Sequence, residues 1–131
     1  MSAEANLRNW DDQWRREQGT PWFETGAFLK EVSALFRKAG PLEAPVLDVG
    51  CGRGAFWRHD GLGLATEAVA CDFAWESVRQ APVRSLVADA GALPFRGRAF
   101  GTIISILVLE HVPEPEPVLQ EMARVLRPEG R

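Results

Sequence analysis

Val46-Leu47-Asp48-Val49-Gly50-Cys51-Gly52-Arg53-Gly54 is the stretch on which the reading of the chain turns. Val46, Leu47 and Val49 suit a buried parallel strand. Gly50 to Gly54 form a G-x-G-x-G turn, where glycine permits positive φ and lets a ligand approach the main chain. The residues from Ala55 to Arg58 open a helix whose first N–H groups face the same place. Strand, glycine turn and helix start together make a site for a nucleotide-like ligand.

The ligand is decided by what flanks the turn. Gly50 to Ala55 also fits the dinucleotide pattern G-x-G-x-x-G/A. A carboxylate at Asp48, two residues before the first glycine, disfavours a pyrophosphate and favours a cation. Asp72 ends a second strand, Glu67–Asp72, 22 positions beyond Gly50. An acid about 20 residues on is the ribose-binding position of nucleotide folds, and a carboxylate can accept both hydroxyls of a vicinal diol. An exposed acid closing a strand is the plainer reading of Asp72.

Composition bounds the class. With 131 residues, 46% hydrophobic and 25% charged, the chain reads as one ordinary globular unit. A net charge of −3 and a pI of about 5.4 show no basic face, so no nucleic-acid partner is expected. There is no apolar run near 18 residues and no apolar core in the first ten, so neither a membrane span nor a leader is expected, and the cytoplasm is the default location. Cys51 and Cys71 lack metal-site spacing and read as free thiols, so no metal is expected.

Taken in order, Leu7 to Glu17 reads as an amphipathic helix with Leu7, Trp10 and Trp14 on one face. It either packs on the domain or forms a lid. A second helix is expected over Thr25–Lys38, with Phe28, Leu29, Val32, Leu35 and Phe36 at helical spacing and Gly40-Pro41 ending it. Residues 1–40 are thus a helical cap and 41–131 the ligand-binding part. Phe73 to Gln80 reads as a helix with Trp75 and Val78 facing in. The third strand is Arg84–Ala88. It leads into Asp89-Ala90-Gly91-Ala92-Leu93-Pro94-Phe95, where Asp89 can cap a helix over Ala90–Leu93. Gly101–Leu109 is a long apolar strand suited to the sheet centre. Val118, Leu119, Met122, Val125 and Leu126 share a face of the last helix.

Three of these stretches carry a family resemblance. Asp48-x-Gly50-x-Gly52-x-Gly54, the DA-x-x-LPF stretch at Asp89, and the run from Ser105 to Arg131 (SILVLEHVPEPEPVLQEMARVLRPEGR) resemble class I S-adenosylmethionine-dependent methyltransferases of the ubiquinone-biosynthesis type. The resemblance covers roughly Val46 to Arg131, with its motifs in order. It implies a Rossmann-like parallel sheet of order 3-2-1-4 flanked by helices. It implies S-adenosylmethionine as cofactor, held by Asp48, Gly50, Cys51, Gly52, Gly54, Asp72, Phe73, Asp89, Ala90 and Leu107. Asp89 would take the adenine amino group and the Ala90 N–H a ring nitrogen, since an adenine edge pairs a donor with an acceptor. His111, beside Glu110, is a candidate acid–base group whose geometry the sequence does not supply.

The expected activity is methyl transfer to a small-molecule acceptor. A non-catalytic S-adenosylmethionine-binding module and a nicotinamide-dependent oxidoreductase are the alternatives. The oxidoreductase leaves Asp48 and the two later stretches unexplained. Strands five to seven of the family fold are absent, so the sequence reads as truncated after strand four. The outer edge of that strand is then expected to be unpaired and open to self-association.

Overall fold

A computed structural model of the protein describes residues 21–131. The helix expected over Leu7–Glu17 lies outside the described residues. A short 3-10 turn, Trp22–Glu24, precedes α1 (Gly26–Ala39). The elements that follow are β1 (Val46–Val49), α2 (Ala55–His59), β2 (Ala68–Asp72), α3 (Trp75–Val78), β3 (Arg84–Val87), β4 (Thr102–Ile104) and α4 (Pro115–Val125). The four strands form one sheet of order β3-β2-β1-β4, and every pairing is parallel. This is the expected Rossmann-like α/β arrangement.

The sequence explains the elements. Every residue of β1 is buried, as a strand covered on both faces requires. Alternation sends Val46 and Asp48 to one face and Leu47 and Val49 to the other. Val46, Ala68 and Ile104 pack with Leu29, Val32, Phe56 and Trp57 beneath α1 and α2. Leu47, Val49 and Cys71 pack with Leu93, Phe100 and Val125 beneath α4. Thr25 caps α1, its Oγ1 accepting the Phe28 N–H at 3.4 Å. Pro115 opens α4, where its missing N–H has no cost.

Several elements are shorter than their patterns suggest. β4 is three residues, not the expected nine, because the chain leaves the sheet after Ile104. There the Ser105 hydroxyl donates to the Val49 carbonyl at 2.9 Å, and Leu107 takes φ +56°. α3 covers only Trp75–Val78, and Trp75 is 63% exposed rather than inward-facing. Leu35 and Leu119 also lie outside, because the buried stripes of α1 and α4 are narrower than their apolar spacing. Glu67 belongs to a 3-10 turn and Ala88 follows the end of β3. No helix forms over Ala90–Leu93. The Asp89 carboxylate instead accepts the Gly91 N–H at 2.8 Å, closing a turn through its own side chain.

The outer edge of β4 is not bare, contrary to the expectation of self-association. The Ile103 N–H donates to the Arg131 carbonyl at 2.7 Å and the Arg131 N–H to the Gly101 carbonyl at 3.1 Å. The Arg127 N–H donates to the Phe100 carbonyl at 2.8 Å. After α4 the chain thus returns along β4 and uses the groups that would template another strand.

Candidate functional site

The glycine turn sits at the carboxyl end of β1, where open parallel sheets bind ligands. It is fastened to the end of β2. The N–H groups of Gly50 and Cys51 both donate to the Cys71 carbonyl, at 2.8 and 2.9 Å. The Gly52 N–H donates to Asp72 Oδ2 at 2.9 Å, and the Ala74 N–H to Asp72 Oδ1 at 3.0 Å. Asp72 therefore shapes the turn as well as facing the site, and each of its oxygens keeps a second lone pair for a hydroxyl. The Ala88 N–H donates to the Asp72 carbonyl at 2.9 Å, which draws the start of the Asp89 loop to the same end of the sheet.

The three glycines do different work. Gly50, Gly52 and Gly54 all have positive φ, at 77°, 53° and 75°. A Cβ on Gly50 would overlap Val108 Cγ2, and one on Gly54 would lie 2.6 Å from Pro82 Cδ. These two glycines make room for neighbouring loops. A Cβ on Gly52 would meet nothing within 4 Å, so its face is the one left open for a ligand.

Asp48 does not reach that open face. Alternation turns it toward α2, where it is 2% exposed and accepts the Trp57 indole N–H at 2.7 Å. Burial pushes its carboxyl up to about 7; the Trp57 hydrogen bond opposes this and the Asp72 charge adds to it. Its influence on a ligand is through space rather than by contact. Burial, then the charges of Asp48 and Asp72, raise the Cys51 thiol far above its ordinary value. Cys71 is pushed up to about 12 by burial and Asp48. Both thiols are free and unreactive in this setting.

The remaining expected residues fall into place unevenly. Phe73 is half-buried directly after Asp72, and Ala90 packs at the margin of the α4-side core. Leu107 is exposed and in the left-handed region, a strained position for a branched side chain. His111 lies in a 3-10 turn, exposed, with Nε2 4.0 Å from Glu110 Oε1. No measured bond links it to the glycine turn or to Asp72, so the structure does not join it to their cluster.

Two features had no advance signal. Arg53, inside the glycine turn, makes a bidentate ion pair with Glu24, Nε–Oε1 3.1 Å and Nη2–Oε2 2.8 Å. Arg124 of α4 donates to the Leu93 and Phe95 carbonyls at 3.0 and 2.9 Å, while Glu121 accepts the Leu93 N–H at 2.8 Å. That pair fixes the end of the Asp89 loop. Neither pairing leaves a periodic trace, since each joins residues 28 or more positions apart. Among the described residues no group of His, Cys, Asp or Glu side chains is arranged to hold a metal.

A family model described as a methyltransferase domain matches residues 47–131. The chain belongs to the class I S-adenosylmethionine-dependent methyltransferases. The cofactor of this methyltransferase domain is S-adenosylmethionine. The residues fit it: an open glycine face, a ribose-facing carboxylate and an acidic rather than basic surround suit a cationic adenosyl ligand. The chain is 34% identical over 118 residues to a tRNA (carboxymethyluridine(34)-5-O)-methyltransferase of Xenopus tropicalis, covering 86% of this chain and 17% of that protein. It is 31% identical over 117 residues to the Arabidopsis thaliana protein of the same name, covering 84% of this chain and 28% of that one. The methyltransferase domain thus spans less than a third of the length of these relatives. A S-adenosylmethionine-dependent methyltransferase structure from Thermotoga maritima shares the fold, with TM-score 0.71 and 22% identity over 96% of this chain and 57% of that chain.

These relatives overturn the exclusion of a nucleic-acid partner and the expectation of a small-molecule acceptor. Net charge is a sum over the whole chain. It says nothing of a local RNA-facing patch, nor of the larger part of the relatives that this chain does not span. Among the described residues no helix is long and apolar enough to cross a membrane.

Proposed function

We propose that the protein binds S-adenosylmethionine at the Gly52 face and transfers its methyl group to an acceptor within RNA, of the tRNA class. The observation that carries the cofactor half is the Gly52–Asp72 bond of 2.9 Å, which sets a carboxylate beside an open glycine face. In this reading Asp72 holds the ribose hydroxyls and Asp89 with Ala90 the adenine edge. Phe73 and Leu107 border the pocket. When bound, S-adenosylmethionine supplies an electrophilic methyl on its sulfonium. The chain contributes by placement, since aligning acceptor and methyl is the largest available effect in such transfers. The acceptor half is supported by the identity to two tRNA methyltransferases.

Calorimetry with S-adenosylmethionine, S-adenosylhomocysteine and NAD tests the cofactor. Incorporation of labelled methyl into bulk tRNA, against a small-molecule extract, tests the acceptor. Saturable binding of NAD alone would overturn the cofactor reading. Label in the extract and none in RNA would overturn the acceptor reading. Binding of S-adenosylmethionine with label in neither would leave a non-catalytic module.

A further inference from the structure

Arg53 is the only charged side chain between Gly50 and Gly54, and it follows the one glycine whose face is open. An arginine beside exposed backbone N–H groups is the usual equipment of a phosphate site, because the guanidinium matches phosphate oxygens in a two-pronged fork. Here that fork is already taken. Both prongs go to Glu24, at 3.1 and 2.8 Å, and the two side chains are only 23% and 12% exposed. Glu24 closes the 3-10 turn Trp22–Glu24, whose chain continues into the capped start of α1, so the carboxylate is delivered by an ordered element. The remaining charge around the turn is acidic, from Asp48 beneath and Asp72 beside it.

We infer that Glu24 is a specificity-determining residue: by occupying Arg53 it keeps the glycine turn from accepting phosphate-bearing nucleotides and reserves it for a cationic adenosyl ligand. The inference rests on the proposed cofactor site, yet its own readout is a phosphate ligand. ADP is the probe, because it shares adenosine with S-adenosylmethionine and differs in carrying a pyrophosphate. Glu24→Gln keeps the size of the side chain and removes its charge. Arg53 is then released from its bidentate partner one residue from the open face, and ADP affinity rises about tenfold, the scale of one charge-assisted hydrogen bond. The gain shrinks as salt is raised. It disappears in the Glu24→Gln/Arg53→Gln double variant, and Glu24→Asp, which retains the charge, restores the wild-type preference.

Calorimetric titration of the four proteins with ADP and with S-adenosylmethionine, each checked by circular dichroism, decides the matter. Unchanged ADP affinity in folded Glu24→Gln, or equal weakening of both ligands, would overturn the inference and mark the pair as structural. A Glu24→Gln gain in ADP that requires Arg53 supports it, even where wild type fails to bind S-adenosylmethionine. That last failure would instead fall on the cofactor reading.

Discussion

At Asp48 and the glycines, single residues carry distinct consequences. The Asp48 carboxyl ordinarily titrates near 3.8 and in the folded protein near 7, chiefly because it is buried. Below about pH 4 both states hold the proton and the site costs nothing. Between about pH 4 and 7 the folded state holds a proton that the unfolded state has released, so stability falls as pH rises. Above 7 the cost is complete, on the order of a few kcal/mol. Asp48→Asn keeps an acceptor for the Trp57 indole and has no charge to bury. Its stability relative to wild type should therefore grow between pH 4 and 8, and parallel denaturation curves across that range would refute the account. The glycines divide similarly. Gly50→Ala combines left-handed strain with overlap at Val108 and should cost about 2–5 kcal/mol of stability. Gly52→Ala meets nothing and should cost only about 1–2 kcal/mol, while losing cofactor affinity. Urea melts with a cofactor titration separate the two, and equal destabilisation would show that the Gly52 face is not open. The motif was legible in sequence as three equivalent glycines. Their division of labour was not, since it depends on Val108 and Pro82, which are distant in the chain.

Among the elements, strand order and pairing were legible because apolar runs, glycine turns and crossover handedness leave few alternatives. Lengths were not. Gly101–Leu109 is apolar throughout, yet only Thr102–Ile104 pairs, because Val108 is drawn over Gly50 and Ser105 onto Val49. An apolar run records burial, and loops that cover a site are buried too. The Asp89 loop shows the same limit. Its sequence suggests a helix over Ala90–Leu93, but the Asp89 side chain closes a turn and α4 holds the far end. Arg124 reaches the Leu93 and Phe95 carbonyls, and Glu121 holds the Leu93 N–H. Arg124→Met keeps much of the apolar stem and removes the donors. It should raise hydrogen exchange at the Leu93 amide by about tenfold, the scale of one lost hydrogen bond to a charged group, and weaken cofactor binding by a similar factor. Unaltered exchange at Leu93 would mean that the loop is held by the packing of Leu93 and Phe95 alone.

Across the whole molecule, the sheet is closed on its β4 side by the chain that follows α4. The two cores on either face of the sheet meet β4 through Ile104 on one side and Phe100 and Ile103 on the other. The segment from Arg127 to Arg131 lies along this strand with three backbone hydrogen bonds to Phe100, Gly101 and Ile103. Its side chains reach further. Arg127 Nη1 donates to the Ala44 carbonyl at 3.3 Å and Arg131 Nη1 to the Ala39 carbonyl at 2.8 Å, at the end of α1. The segment thus joins β4, the approach to β1 and the end of α1, all at the sheet end opposite the glycine turn. Removing residues 127–131 should cost about 2–4 kcal/mol, from three backbone bonds at about 1 kcal/mol each and the exposed side-chain acceptors. For a domain of this size the melting temperature should fall by roughly 10 °C. Because the lost contacts lie far from Gly52, exchange should quicken at the Ile103 amide while the Gly50 amide, bonded to Cys71, keeps its protection in scale with global stability. Calorimetry with residue-resolved exchange checks both parts. An unchanged melting temperature would show that β4 needs no cover on its outer edge, and a selective loss at Gly50 would show that the two ends of the sheet are coupled.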